Sequence, residues 1–228
     1  MTNHLQGRDV PWIPPEMADA DGFVGIGGDL SPFTLLRAYA EGVFPWFNAG
    51  DPILWWSPHP RAVFDLHTEP DTDRGGLHIS HRLARTLRSG KFRVTVNTCF
   101  ETVMRSCGEN RDGGTWVTPE MLAAYTEMHR LGHAHSVETW VGDELAGGTY
   151  GIAIGGLFAA ESMFYRVTDG SKVALAGLVT RLRDRGFSLL DVQMKTSHTS
   201  SLGATNVSRT EYLRRLREAV AMTGISFA

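Results

Sequence analysis

Two cysteines in 228 residues, Cys99 and Cys107, are too few for a disulfide-stapled secreted scaffold and lack the spacing of zinc ligands. They read as reduced, buried thiols. Long apolar runs are missing as well: the most hydrophobic window, residues 147–165, is rich in glycine and broken by Glu161, and the opening MTNHLQGRDVPWIPPEM has no apolar centre like that of a signal peptide. A cytoplasmic protein without a membrane attachment is expected. There is no excess of positive charge either. A formal net charge of -3 argues against a wholesale electrostatic grip on nucleic acid and leaves room only for a local basic face. The glycines of GIGGD, 25–29, resemble a phosphate loop superficially, but the lysine and hydroxyl of a P-loop are absent. Turn geometry explains them instead.

What remains is the composition of an ordinary globular protein, 42% hydrophobic and 21% charged, with room for one or two domains. Residues 65–76, DLHTEPDTDRGG, are polar and acidic with one proline and two glycines, the make-up of a linker or exposed loop. They divide the chain into a small N-terminal domain, 1–66, and a larger domain, 76–228, with 67–75 between. In the first, Ser31 caps a helix with Pro32 in its opening turn, and Gly42 ends it. In the second, HRLARTLRSG is a helix, KFRVTVN a strand and CFETVMRSCG a helix. Thr118 caps the next helix and Gly132 stops it. Strands follow over HAHSVETWV, ELAGGTYGIAI and LFAAESMFYR, then a helix from SKVAL to RDRG, a buried strand SLLDVQM and a last helix with Ser208 and Glu211 at capping-box spacing. The pattern is mixed, with a mostly antiparallel sheet.

Polar residues sit where that pattern calls for apolar ones. Alternation places Leu157, Ala159, Glu161 and Met163 on one face of a strand and Phe158, Ala160, Ser162 and Phe164 on the other, so Glu161 is a carboxylate among apolar neighbours. It needs a counter-charge or a shifted pKa: either an Arg or Lys pairs with it, or it belongs to a site. Asp191 and Gln193 likewise share one face of SLLDVQM, facing solvent or lining a cleft. Other constellations are weaker. His133 and His135, with His129, lack a carboxylate or cysteine partner for a metal. Ser197 or Ser201 with His198 and Asp191 holds the residue types of a hydrolase triad without the glycines of a nucleophile elbow. Arg82, Arg85 and Arg88 line one side of a helix, as a solvated face or as a track for a phosphate backbone.

The stretch GVFPWFNAGDPILWWSPHPR, 42–61, carries Trp46, Trp55 and Trp56 among turn formers, a segment shaped to present rings. Together with GGDLSP, LHIS, GTWVTPEM, LGHAHSVE, ESMF and SLGA, in this order, it resembles the leucyl/phenylalanyl-tRNA-protein transferase family of the bacterial N-degron pathway, from about Gly25 to about Leu213.

The resemblance implies an α+β fold: a small N-terminal domain followed by a GNAT-like acyltransferase domain with a mixed, mostly antiparallel sheet. It implies transfer of Leu or Phe, less readily Met, from aminoacyl-tRNA to the α-amine of proteins beginning with Arg or Lys, marking them for degradation, by a monomer that uses no cofactor and no metal. Trp46 and Trp116 would clamp the terminal adenosine, with Trp55 and Trp56 packing around the clamp. Phe158, Met163, Leu175, Leu178, Leu182 and Leu190 would form the amino-acid pocket, the three leucines of the helix sharing one face. Gln193 would accept a hydrogen bond from the attacking amine, Asp191 would hold or polarise it, and Glu161 would receive the acceptor's cationic N-terminus. Arg82, Arg85 and Arg88 would follow the tRNA backbone. Two rivals stand beside this reading: a GNAT acetyltransferase using acetyl-CoA, for which Arg183–Ser188 supplies half of a pyrophosphate loop, and a non-catalytic RNA or peptide binder.

Overall fold

A computed structural model describes residues 11–67, 76–109 and 117–228. The expected linker lies almost wholly outside this range, and so does Trp116. Near the N-terminus, β1 (Phe23–Ile26), β2 (Phe44–Pro45) and β3 (Leu54–Trp56) form a sheet of order β1-β3-β2, with α1 (Pro32–Ala40) between the first two strands. Ser31 caps α1 by accepting from the Thr34 N–H, and Gly42, at φ 81°, turns the chain out of it. The first two residues of GIGGD, Gly25 and Ile26, belong to β1. Gly25 is required by close approach: a Cβ there would lie 1.9 Å from the Pro11 carbonyl oxygen.

The larger sheet holds β4 (Arg61–Asp65), β5 (Arg93–Val96), β6 (Ala134–Val141), β7 (Glu144–Ile154), β8 (Leu157–Tyr165), β9 (Leu189–Asp191) and β10 (Thr205–Val207), in the order β10-β4-β9-β8-β7-β6-β5. Every neighbouring pair is antiparallel except β8 with β9. The chain is therefore α+β with a mixed, mostly antiparallel sheet. β4 precedes the expected linker and is nevertheless hydrogen-bonded inside this sheet, between β9 and β10.

Helices cover both faces. α2 (His81–Arg88) and α5 (Gly170–Asp184) lie on one side, where Leu175, Leu178 and Leu182 pack with Phe158 and Leu190. On the other side α3 (Phe100–Gly108) and α4 (Pro119–Arg130) share a core with the N-terminal segment, since Tyr39, Phe44 and Trp55 join Phe100, Tyr125 and Tyr150 in one apolar cluster. A short helix, α6 (Ser197–Ser201), precedes β10, and α7 (Arg209–Val220) packs Tyr212, Leu213 and Leu216 against Val63, Leu157 and Leu189.

Two departures from simple alternation shape the cleft. In β8 the register moves from Ala160 opposite Gly151 to Ser162 opposite Tyr150, leaving Glu161 as an extra, bulged residue. Alternation puts Phe158 and Met163 on opposite faces. The bulge reverses the parity between them, and both pack with the cluster under α5. The second departure is SLLDVQM, where the strand ends at Asp191. Gln193 adopts a left-handed backbone at φ 60° and its N–H returns 2.8 Å to Oδ1 of Asp191, so the two residues share a tight turn and not a strand face.

Candidate functional site

β8 and β9 run side by side only from Leu157–Ala159 against Leu189–Asp191. Beyond that point β8 continues while β9 stops, and the gap opens into a cleft of about 560 Å³. Glu161, Ser162 and Met163 form one wall, and Gln193, Met194 and His198 another. Phe44, Pro45 and Trp46 close it from the smaller sheet. Strand divergence thus brings Glu161, Gln193 and Trp46 to one cavity from three separate parts of the chain.

Glu161 has found no cation. Tyr39 donates to its Oε1 at 2.6 Å and Gln193 Nε2 donates to the same oxygen at 2.8 Å; among the described residues it forms no ion pair. The Tyr125 hydroxyl is bonded to that of Tyr39, and because Tyr39 spends its proton on Glu161, Tyr125 is the donor. Burial pushes the Glu161 carboxyl up to about 8, helped by the nearby Asp191 charge and opposed by the Tyr39 hydrogen bond, by Arg61 and by Gln193. Burial, and then the Glu161 charge, hold both phenols well above their usual value. A carboxyl whose pKa rises on folding binds protons in the native state that the unfolded chain has released, so from about 4.5 to about 8 this group makes stability fall as pH rises. Only an incoming positive charge would reverse that.

Asp191 is in the opposite condition. It is 1% exposed and held by Arg61, also 1% exposed, whose Nε lies 2.9 Å from Oδ1 and whose Nη2 lies 2.7 Å from Oδ2. The Tyr212 hydroxyl adds a bond to Oδ2 at 2.8 Å. No hydrogen bond joins Asp191 to His198, which leaves the hydrolase arrangement without its link. The remaining amide of the turn is well placed: with Nε2 committed to Glu161, the Oε1 of Gln193 is left as an acceptor at the cleft wall.

The described indoles of this segment differ in their surroundings. Trp46 is 46% exposed at the cleft, whereas Trp55 is wholly buried, 4.7 Å from Trp12 between ring centroids. Trp56 packs edge-on to Trp46 at 6.0 Å and donates to its carbonyl oxygen at 2.8 Å. Of the six expected pocket residues only Met163 lines the cleft; Phe158, Leu175, Leu178, Leu182 and Leu190 are fully buried in the core behind it, because α5 turns its leucine face onto the sheet. Arg82, Arg85 and Arg88 are exposed on α2 and do not line the cleft, with Arg82 3.7 Å from Asp169. His135 uses both ring nitrogens within the protein, with Asn97 and the Gly132 carbonyl, and burial lowers its pKa to about 4. Sequence reasoning missed Arg61, Tyr39, Tyr125 and Tyr212. The signal for Arg61 was available: a cation at the head of the apolar run RAVF requires a buried carboxylate.

Comparison with known proteins follows the same outline. The family model described as leucyl/phenylalanyl-tRNA protein transferase matches residues 73–217, and the model of the N-terminal domain of that family matches residues 28–59. The leucyl/phenylalanyl-tRNA–protein transferase of Anaeromyxobacter sp. (strain K) is 48% identical over 216 residues, 93% of this chain and 89% of the relative. That of Nitratidesulfovibrio vulgaris (strain DP4) is 49% identical over 212 residues, 91% and 87% respectively. Among solved structures, the chain is similar to L-PGS from Bacillus licheniformis, with a TM-score of 0.43 and 12% identity over 70% of this chain and 64% of the other. With nearly half its residues shared with such relatives along almost its whole length, the chain belongs to the leucyl/phenylalanyl-tRNA–protein transferase family of enzymes.

Proposed function

We propose that the cleft transfers Leu or Phe, less readily Met, from aminoacyl-tRNA to the α-amine of proteins beginning with Arg or Lys, marking them for degradation in the cytoplasm, and that the protein acts as a monomer. The observation that carries this reading is Glu161: a half-buried carboxyl at a cleft wall whose protein partners are both neutral. A cationic N-terminal residue supplies the missing charge, and the charge-assisted bond is stronger for being partly desolvated. The donor ester is already activated, so neither ATP nor a covalent intermediate is required; the site has to orient a neutral amine against the carbonyl. Gln193 Oε1 accepts from that amine. An amide is too weak a base to remove the proton alone, and the leaving ribose oxygen can take it directly or through the neighbouring hydroxyl. Trp46, with Trp116, stacks the terminal adenine, and Met163 with Ala160 and Val192 meets the donor side chain in front of the leucine-lined core. Arg82, Arg85 and Arg88 are exposed for phosphate contact.

The acetyl-CoA reading fits the cleft poorly. Arg183–Ser188 begins in the last turn of α5, and the Arg183 Nε already donates to the Leu66 carbonyl. A pyrophosphate there would face the negative end of the helix dipole. The deciding assay is transfer of labelled Leu from Leu-tRNA to peptides starting with Arg, Lys or Ala: label is expected on the first two only, and binding without transfer would favour a non-catalytic module.

Two outcomes follow from the geometry. Trp46→Ala should weaken aminoacyl-tRNA binding tenfold to a hundredfold, from the loss of about 1–3 kcal/mol of base stacking, with an unchanged melting temperature; binding titration and thermal unfolding check both halves. Acceptor binding should also release protons. Near pH 7 Glu161, at about 8, is mostly protonated, and a cationic acceptor must ionise it, so affinity for an Arg-initiated peptide rises with pH up to about 8. Calorimetry in buffers of different ionisation enthalpy reads the released proton, and Glu161→Gln should diminish it.

A further inference from the structure

The Arg61 guanidinium touches both sides of the cleft. Its Nε and Nη2 hold Asp191, its Nη1 donates to the Gly42 carbonyl at 3.2 Å, and its plane lies over the rings of Phe44, at 5.0 Å, and Tyr212, at 4.5 Å. Gly42 and Phe44 belong to the segment that enters β2 and ends at Trp46. Asp191 begins the turn that ends at Gln193. We propose that Arg61 is a positioning residue for the transfer reaction, joining the wall that carries Trp46 to the turn that carries Gln193, and that Asp191 acts there as its buried counter-charge and as the anchor of that turn. This rests on the reading that Gln193 orients the acceptor amine.

The contacts of Asp191 leave it nothing else to do. Oδ1 accepts from Arg61 Nε and from the main-chain N–H of Gln193; Oδ2 accepts from Arg61 Nη2 and from Tyr212. A carboxylate offers about four lone-pair sites, and all are engaged by protein donors. It bonds the main chain of Gln193, never its amide, which is turned by Glu161 instead. The left-handed backbone of Gln193, at φ 60°, is unusual for a residue with a side chain. It is gripped from both sides, by Asp191 at its N–H and by the Ala62 N–H at its carbonyl. Ala62 is the next residue after Arg61, so β4 supplies one clamp directly and holds the other through the Arg61–Asp191 pair. A lysine at position 61 would keep the charge and lose the planar fork that reaches Asp191 and Gly42 together.

The test measures leucyl transfer to an Arg-initiated peptide, with all variants kept below their melting temperatures. Arg61→Lys should lower kcat about tenfold or more through misplacement of the turn and raise the KM for Leu-tRNA several-fold, with a smaller drop in melting temperature than Arg61→Met. Wild-type kcat and KM in folded Arg61→Lys would reduce Arg61 to a structural role and overturn the proposal. The second arm compares Asp191→Asn with the double variant Arg61→Met/Asp191→Asn. The double variant removes both charges and keeps an oxygen for the Gln193 N–H, so it should recover melting temperature and raise kcat about tenfold over Asp191→Asn alone, while its KM for Leu-tRNA stays elevated because methionine cannot bond Gly42. A folded double variant with a kcat no higher than that of Asp191→Asn would show that the negative charge itself serves the reaction, which also overturns the proposal. Failure of the underlying reading looks different: the wild-type protein would not label the peptide, or Gln193 substitutions would leave kcat untouched.

Discussion

Asp191→Asn should destabilise the protein by about 3 kcal/mol or more, because it strands the Arg61 guanidinium in the interior with no counter-charge. For a chain of this size that corresponds to a melting temperature lower by roughly 6–12 °C, measured by calorimetry or circular dichroism. Glu161→Gln provides the control. It removes a carboxyl that folding already disfavours, with no buried cation left behind, and the fold should survive it unchanged. The two carboxylates are therefore expected to separate in a stability measurement although both sit at one cleft. The salt bridge at 2.7 Å sets Asp191 apart.

Gln193→Asn should lower kcat for transfer about a hundredfold with little change in melting temperature. Asparagine tolerates a left-handed backbone, so the turn persists. The side chain is one methylene shorter, and its amide can no longer reach Glu161 and meet the incoming amine at the same place; a misplacement of about 1 Å is enough for that loss. Because Gln193 contacts the acceptor and not the tRNA in this reading, the KM for Leu-tRNA should stay within about twofold while kcat falls. Steady-state kinetics with both substrates varied would reveal the split. A parallel rise in the KM for Leu-tRNA would mean that the turn, and not the amide, had moved.

Much of the local structure was readable before any tertiary contact was known. Ser31, Thr118 and Ser208 each accept from the N–H three residues on, a bond made within a single turn and so encoded within four letters. The tryptophans were divided by motif position; Trp46 stands at the cleft and Trp55 in the core. Glu161 was visible as a carboxylate in an apolar strand. Its bulge was not, because a bulge is a property of two strands in register, and nothing in LFAAESMFYR alone says which residue the neighbouring strand will skip. The pocket leucines were read from a shared helix face, but the same face that could line a cavity also seals a core, and only the position of the sheet decides between them. The acidic stretch before Leu77 reads as a boundary by its composition, yet β4 on its N-terminal side pairs with strands more than a hundred residues later.

The sequence by itself determined the family, the helix caps, the ring-bearing segment and the presence of unsatisfied polar residues, all of which depend on neighbours along the chain or on strings long enough to be distinctive. Only the tertiary structure decided what those polar residues do. Arg61 and Asp191 are 130 positions apart, and Tyr39 and Glu161 are 122 apart. Whether a carboxylate in an apolar strand meets an arginine fork or two neutral donors is fixed by how strands align across the sheet, and that alignment separates a structural anchor from a charge waiting for substrate.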